Sequence, residues 1–195
     1  MAWAPDYLTL VQGKAFVRVD DTVDDTEIAT AITTSSRSID DHCNRQFGVV
    51  NAVEQRVYRA YYNYERTRWV VAIDDLQTAV GLVVMADGAA ITDYVLEPRN
   101  AVAEGKAWTR LVFGTSVALV DDDVSATALW GWALGFPVPV VQAAKLQTSR
   151  LLSRRDSPYG VAGSPADGSE VRLTARVDPD VAVALRGWSR PRKAG

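Results

Sequence analysis

The hydrophobic period of this chain changes twice, and that change limits the folds open to it. Through residues 7–48 apolar side chains recur every three or four positions. Over 53–132 they fall into short runs rich in β-branched and aromatic residues, and beyond 132 the helical spacing returns. A segment with a period of two cannot bury one face of a helix, so the pattern reads as helices interrupted by a β insertion. The expected class is α+β. An N-terminal helix pair and a later helix form a bundle, an antiparallel β barrel or sandwich is inserted between them, and an extended arm ends the chain. The boundaries fall at 1–52, 53–132, 133–155 and 156–195.

Two helix starts stand out in the first part. Thr9 followed by Gln12 has the spacing of a capping box, and so has Asp24 followed by Glu27, with Val23 and Ile28 placed to staple it. The second helix carries Ile28, Ile32, Ser35 and Ile39 on one stripe and breaks near Asn44 and Gly48. Ile28, Ile32, Ile39 and Phe47 are therefore the expected helical core. Asp40 lies beside the stripe and is expected to tolerate alanine. Between the helices the chain is acidic, with Asp20, Asp21, Asp24 and Asp25 close together.

Tyr7, Leu8, Thr9, Phe16, Val19, the four aspartates, Ile28, Ile32, Ile39, Arg45 and Phe47 form an ordered set: a short helix closing on an aromatic, an Asp-Asp turn, then an isoleucine-striped helix ending near Arg-x-Phe. That set resembles the head-tail connector, or head-to-tail adaptor, proteins of long-tailed phages, and it covers the first quarter of the chain. The resemblance implies a virion structural protein made in the bacterial host cytoplasm. It implies a homo-oligomeric ring, dodecameric in the family, between the portal protein and a tail-side connector or stopper protein. Genomic DNA would pass through the ring without sequence-specific binding. An acidic wall suits that passage because like charge keeps the duplex from sticking, which makes Asp20, Asp21, Asp24 and Asp25 the channel-facing candidates. The large β insertion departs from the smallest, mostly helical members of the family.

Within the insertion the strand candidates are 53–62, 69–73, 80–85, 90–96, 108–113, 117–120 and 125–132. Asp87-Gly88 marks a tight hairpin and the aspartates at 121–123 a second connection. Pro137 and Pro139 open the later helix, whose expected buried face is Val141, Ala144, Thr148, Leu151 and Leu152. Residues 157–168 are rich in Gly, Pro and Ser and read as a linker. Beyond it, 171–177 alternates like a strand, and Asp178-Pro179 starts a last helix. This end reads as an arm that docks on the portal or on a neighbouring subunit through Arg172, Arg176, Val181, Leu185, Arg186, Trp188 and Arg190. On that reading, truncation after Arg155 leaves the melting temperature nearly unchanged.

Composition narrows the function. The 195 residues are 48% hydrophobic, enough for a core, and contain no apolar run of 18, so no membrane span and no secretory signal is expected. Residues 1–139 carry 11 basic and 19 acidic side chains and residues 140–195 carry 10 and 5, a bipolar distribution. Seventeen arginines against four lysines suggest a GC-rich genome. His42 is the only histidine and Cys43 the only cysteine. They point about 100° apart on one helix, a poor nucleophile–base pair. No phosphate-cradling loop or nucleophile elbow is present, and the acidic turn lacks calcium-loop spacing. No enzyme activity, cofactor or metal is expected. The alternative function is a ligand- or carbohydrate-binding β module on a helical scaffold, with Tyr58, Tyr61, Tyr62, Tyr64, Trp69, Trp108, Trp130 and Trp132 as its aromatic face.

Overall fold

The computed structural model describes residues 4–119, 123–155, 161–162, 171–172 and 178–191. The chain forms two compact units, one from Met1–Gln46 with Phe136–Gly195 and the other from Phe47–Gly135. The architecture is α+β: four helices, and an antiparallel sheet of seven strands curled into a half-barrel.

The first unit packs α1 (Leu10–Val17), α2 (Asp25–Cys43), α3 (Val138–Arg155) and α4 (Pro179–Leu185), the last running into a 3₁₀ turn over Arg186–Trp188. The Thr9 box forms on both sides: the Gln12 amide donates to the Thr9 hydroxyl at 3.2 Å, and the Thr9 amide donates to the Gln12 side chain at 3.0 Å. α1 crosses α2 at Gly13, where a Cβ would meet Ile32 Cδ1 at 2.7 Å, so a larger residue would make the Ile32 side chain shift. Ile28, Ile32 and Ile39 are buried, as is Ser35, whose hydroxyl lies 2.8 Å from that of Thr148 on α3.

Three expectations for this unit need correction. The second capping box does not form: Asp24 is the N-cap, but its backbone is outside the extended region and its side chain makes no cap hydrogen bond. Its carboxylate instead meets the Arg155 guanidinium at 2.8 Å, and Val23 is 86% exposed, so the staple is absent too. The buried face of α3 is Val140, Ala143, Ala144, Gln147 and Thr148, turned from the expected one because α2 and α4 both pack on it. Finally, residues 157–168 are not without regular structure, since β8 (Val161–Ala162) pairs antiparallel with β9 (Val171–Arg172).

The second unit has the strand order β4-β3-β7-β1-β2-β6-β5, with β1 Glu54–Asn63, β2 Arg68–Leu76, β3 Val83–Ala86, β4 Ala89–Ala90, β5 Tyr94–Glu97, β6 Trp108–Phe113 and β7 Asp123–Ala128. The long β1 makes the sheet curl. Its first part, from Glu54 to Arg59, pairs with β7, and its last part, from Ala60 to Asn63, pairs with β2. One end is then closed by backbone. The Gly131 amide donates to the Asp75 carbonyl at 2.7 Å, the Gln77 amide donates to the Gly131 carbonyl at 3.1 Å, and the Trp132 amide donates to the Gly48 carbonyl at 2.7 Å. Gly131 sits at φ 109°, and a Cβ there would stand 2.0 Å from the Gly48 oxygen.

Asp87 and Gly88 both have positive φ, 51° and 75°, as the turn between β3 and β4 requires of a type I′ hairpin. The 90–96 run splits between β4 and β5, 117–119 forms no strand, and β7 ends at Ala128. Asp121 and Asp122 lie outside the described residues. Phe47, expected in the helical core, belongs to this unit and packs against Trp132 with ring centroids 5.1 Å apart. Trp130 and Trp132 are buried, their indoles donating to the Glu54 carbonyl at 2.8 Å and the Asp75 carboxylate at 3.0 Å.

Candidate assembly surfaces

The carboxylates of the acidic turn are not equivalent. Asp25 pairs with Lys14 at 2.5 Å and Asp24 with Arg155 at 2.8 Å, so both are held by cations of their own unit. Asp21 accepts the Val23 amide at 3.0 Å, and neither Asp20 nor Asp21 forms an ion pair among the described residues. Both are exposed, as are Thr22 and Val23. Lys14 also donates to the Asp21 carbonyl at 2.5 Å, and the turn presents two exposed carboxylates without side-chain ion pairs among the described residues, beside an exposed valine. The Asp24–Arg155 pair also shows that the bipolar charge of the sequence folds back on itself. The unit built from both chain ends carries 14 basic and 13 acidic side chains, and the sheet unit 7 and 11.

The C-terminal segment is not the free arm expected from the sequence. Val181 and Leu185 are fully buried, and α4 packs on α3. Asp178 caps α4 by accepting the Asp180 amide at 2.9 Å, and it pairs with Arg150 of α3 at 2.6 Å. The Arg190 amide donates to the Cys43 carbonyl at 2.8 Å, and the Asn44 side chain donates to the Arg190 carbonyl at 3.0 Å. α4 completes this chain's own core. Trp188 is half-buried and Arg186 exposed. For Arg172 only the backbone is described, in β9, and Arg176 lies outside the described residues.

Asp40, expected to tolerate alanine, is buried at 9% exposure. The Tyr7 hydroxyl donates to one of its oxygens, and the Arg37 guanidinium lies 2.9 Å from the other. Burial pushes its carboxyl up to about 6, against the lowering pull of Tyr7 and Arg37. With the Tyr7 amide donating to Ser36 Oγ at 3.0 Å, this node ties the start of the chain to α2. Cys43 is fully buried, and burial pushes its thiol up to about 11, which makes it a poor nucleophile beside half-buried His42. Among the described residues no three His, Cys, Asp or Glu side chains gather as a metal site, and no helix is long and apolar enough to cross a membrane.

On the sheet unit, the expected aromatic face is divided. Trp130 and Trp132 are in the core, and Tyr58 is half-buried with its hydroxyl on Asp74 at 3.0 Å. Tyr62 meets Tyr64 and Trp69 edge-on at centroid distances of 5.1 and 5.5 Å near the β1–β2 turn. Sequence reasoning missed a nearby feature, a pocket of about 350 Å³ lined by Arg66, Arg68, Val95, Glu97, Arg99 and Val112. Arg66 donates to Glu97 at 2.9 and 3.2 Å, and Arg110 lies 3.8 Å from the same carboxylate. These residues come from three stretches of chain, 66–68, 95–99 and 110–112. Only the register of β2, β6 and β5, with Val70 opposite Val112 and Val112 opposite Val95, brings them to one face.

No protein-family model and no curated protein matches this chain. Among solved structures, it is similar to a chain in the neck of an empty GTA (gene transfer agent) particle computed with C6 symmetry, at a TM-score of 0.58 and 12% identity. The match covers 100% of this chain and 96% of that one, so the two share a fold from end to end.

Proposed function

We propose that this chain is a virion structural protein of the head-to-tail neck, an adaptor that forms a ring between portal and tail and continues the DNA channel. The observation that carries the reading is the extent of the fold match: 100% of this chain and 96% of a neck chain, including both the helical unit and the sheet. The resemblance of the first quarter of the sequence to head-tail adaptors points the same way from separate observations. The sixfold symmetry used for that neck supports a cyclic homo-oligomer here, for which the family suggests twelve copies. A ring of identical subunits needs a head-to-tail interface, in which two different patches of the same chain meet.

On this reading the work is done by surfaces, without catalysis or a cofactor. One rim meets the portal, the other the tail-side protein, and the inner wall lets DNA slide. The docking role expected for the C-terminal segment narrows to the outer face of α4, where Val183 is 75% exposed and Arg186 is exposed, because Val181 and Leu185 are occupied within the unit. Deleting the gene from the producing genome tests the proposal. DNA-filled heads and separate tails, with joining restored by the purified protein, are the expected result. Complete particles lacking this chain would overturn it.

A further inference from the structure

We infer that the arginine pocket of the sheet unit receives the acidic turn between α1 and α2 of a second copy of this chain, and that this contact forms the seam between ring neighbours. The inference rests on the ring reading above and gives it an interface. Within the pocket, Glu97 is already matched by Arg66 and Arg110. The side chains of Arg68 and Arg99 form no ion pair or hydrogen bond among the described residues, which leaves two guanidiniums beside half-buried Val95. The turn offers the complement: Asp20 and Asp21, both without ion pairs among the described residues, next to Val23 at 86% exposure. Guanidinium and carboxylate make strong charge-assisted hydrogen bonds, and Val23 laid on half-buried Val95 removes apolar surface from water.

The match is specific in kind as well as sign. A phosphate backbone would satisfy the arginines alone, whereas the turn supplies both carboxylates and an apolar side chain to lie on half-buried Val95 within four residues, Asp20 to Val23. The two patches are different surfaces of one chain, so a contact that is not returned within the same pair of copies is heterologous and can propagate from one subunit to the next, as a ring requires. Asp20 and Asp21 are thereby assigned to the seam instead of the channel wall.

A charge exchange tests this on the purified full chain by sedimentation velocity over a concentration series. One variant carries Arg68→Glu and Arg99→Glu, the other Asp20→Arg and Asp21→Arg, with circular dichroism melts checking the fold, above all at half-buried Arg68. The wild type should self-associate and weaken as salt is raised. Each variant alone should associate at least tenfold more weakly, since like charges now face each other. An equimolar mixture should recover, because every turn then finds an opposite pocket in an alternating ring. A wild type that stays monomeric over the series, variants that associate like the wild type, or a mixture that does not recover would each overturn the inference. Duplex DNA bound by the wild type and lost only in the arginine variant would reassign the pocket to DNA. Particle incorporation, measured separately, judges the neck reading: a chain found in particles whose variants associate normally refutes the seam alone.

Discussion

The helical unit is assembled from stretches of chain that lie far apart, while the sheet unit is one continuous stretch, and the two are closed by different forces. The helices meet through side chains: Ser35 on Thr148, Asp24 on Arg155, Asp178 on Arg150, and Leu185 in the core. The sheet closes through backbone, with Gly131 bonded to Asp75 and Gln77 and Trp132 bonded to Gly48. A backbone closure tolerates many side chains but fails at the one position where only glycine fits. A side-chain closure spreads its cost over many positions, from about 1 kcal/mol or less at an exposed ion pair to a few kcal/mol at a buried apolar side chain.

That contrast predicts the largest single effect at Gly131. Alanine there would place its Cβ 2.0 Å from the Gly48 oxygen in a backbone conformation that disfavours it, so the sheet unit should lose about 4 kcal/mol or more. Denaturant unfolding followed by tryptophan fluorescence reads this, and a loss below about 1 kcal/mol would break the account of closure.

In the helical unit, Leu185→Ala should cost about 2 to 5 kcal/mol through lost transfer energy and a cavity, and truncation after Arg155 should cost at least as much. A truncated protein that melts within a few degrees of the full chain would restore the free-arm reading.

Asp40 gives a smaller effect with a definite pH signature. Its folded value of about 6 lies above the ordinary 3.8, so folding favours the protonated carboxyl. The stability it contributes is complete below about pH 3.8 and is lost as pH rises through about 6. Asp40→Asn, which cannot ionise, should therefore gain on the wild type by about 2 to 3 kcal/mol between pH 4 and pH 7. Parallel stability curves for the two proteins would contradict this. The smallest effect belongs to Asp24→Ala: its pair with Arg155 is more than a third exposed on both sides and its side chain caps nothing, so the loss should stay within about 1 kcal/mol. A larger loss would mean that a cap was removed after all.

What the sequence revealed follows the same division. Local signals are legible wherever the physics is local: the Thr9 box, the isoleucine stripe of α2, the Asp87-Gly88 turn, and the β-branched and aromatic runs of β1, β2 and β6. Long-range partners are not. Nothing near Asp40 in sequence announces Tyr7, 33 residues away, and nothing near Asp24 announces Arg155, 131 residues away, so a buried node was taken for a tolerant position and an ion pair for a cap. The C-terminal helix reads as an arm in the sequence for a related reason. An apolar stripe beyond a Gly- and Pro-rich stretch looks the same whether it docks on a partner or on the chain's own α3, and only the Asp178–Arg150 and Arg190–Cys43 contacts decide. The arginine pocket was invisible because strand register, not spacing, assembles it.

The central claim is that this chain is a ring-forming subunit of a particle neck, and a reconstruction of the complete particle centred on the junction of head and tail tests it most directly. The account predicts a cyclic ring between portal and tail whose density accepts the four helices and the seven-stranded sheet, enclosing the path of the DNA. A neck whose density is filled by other chains, with this one absent or located elsewhere in the particle, would contradict it.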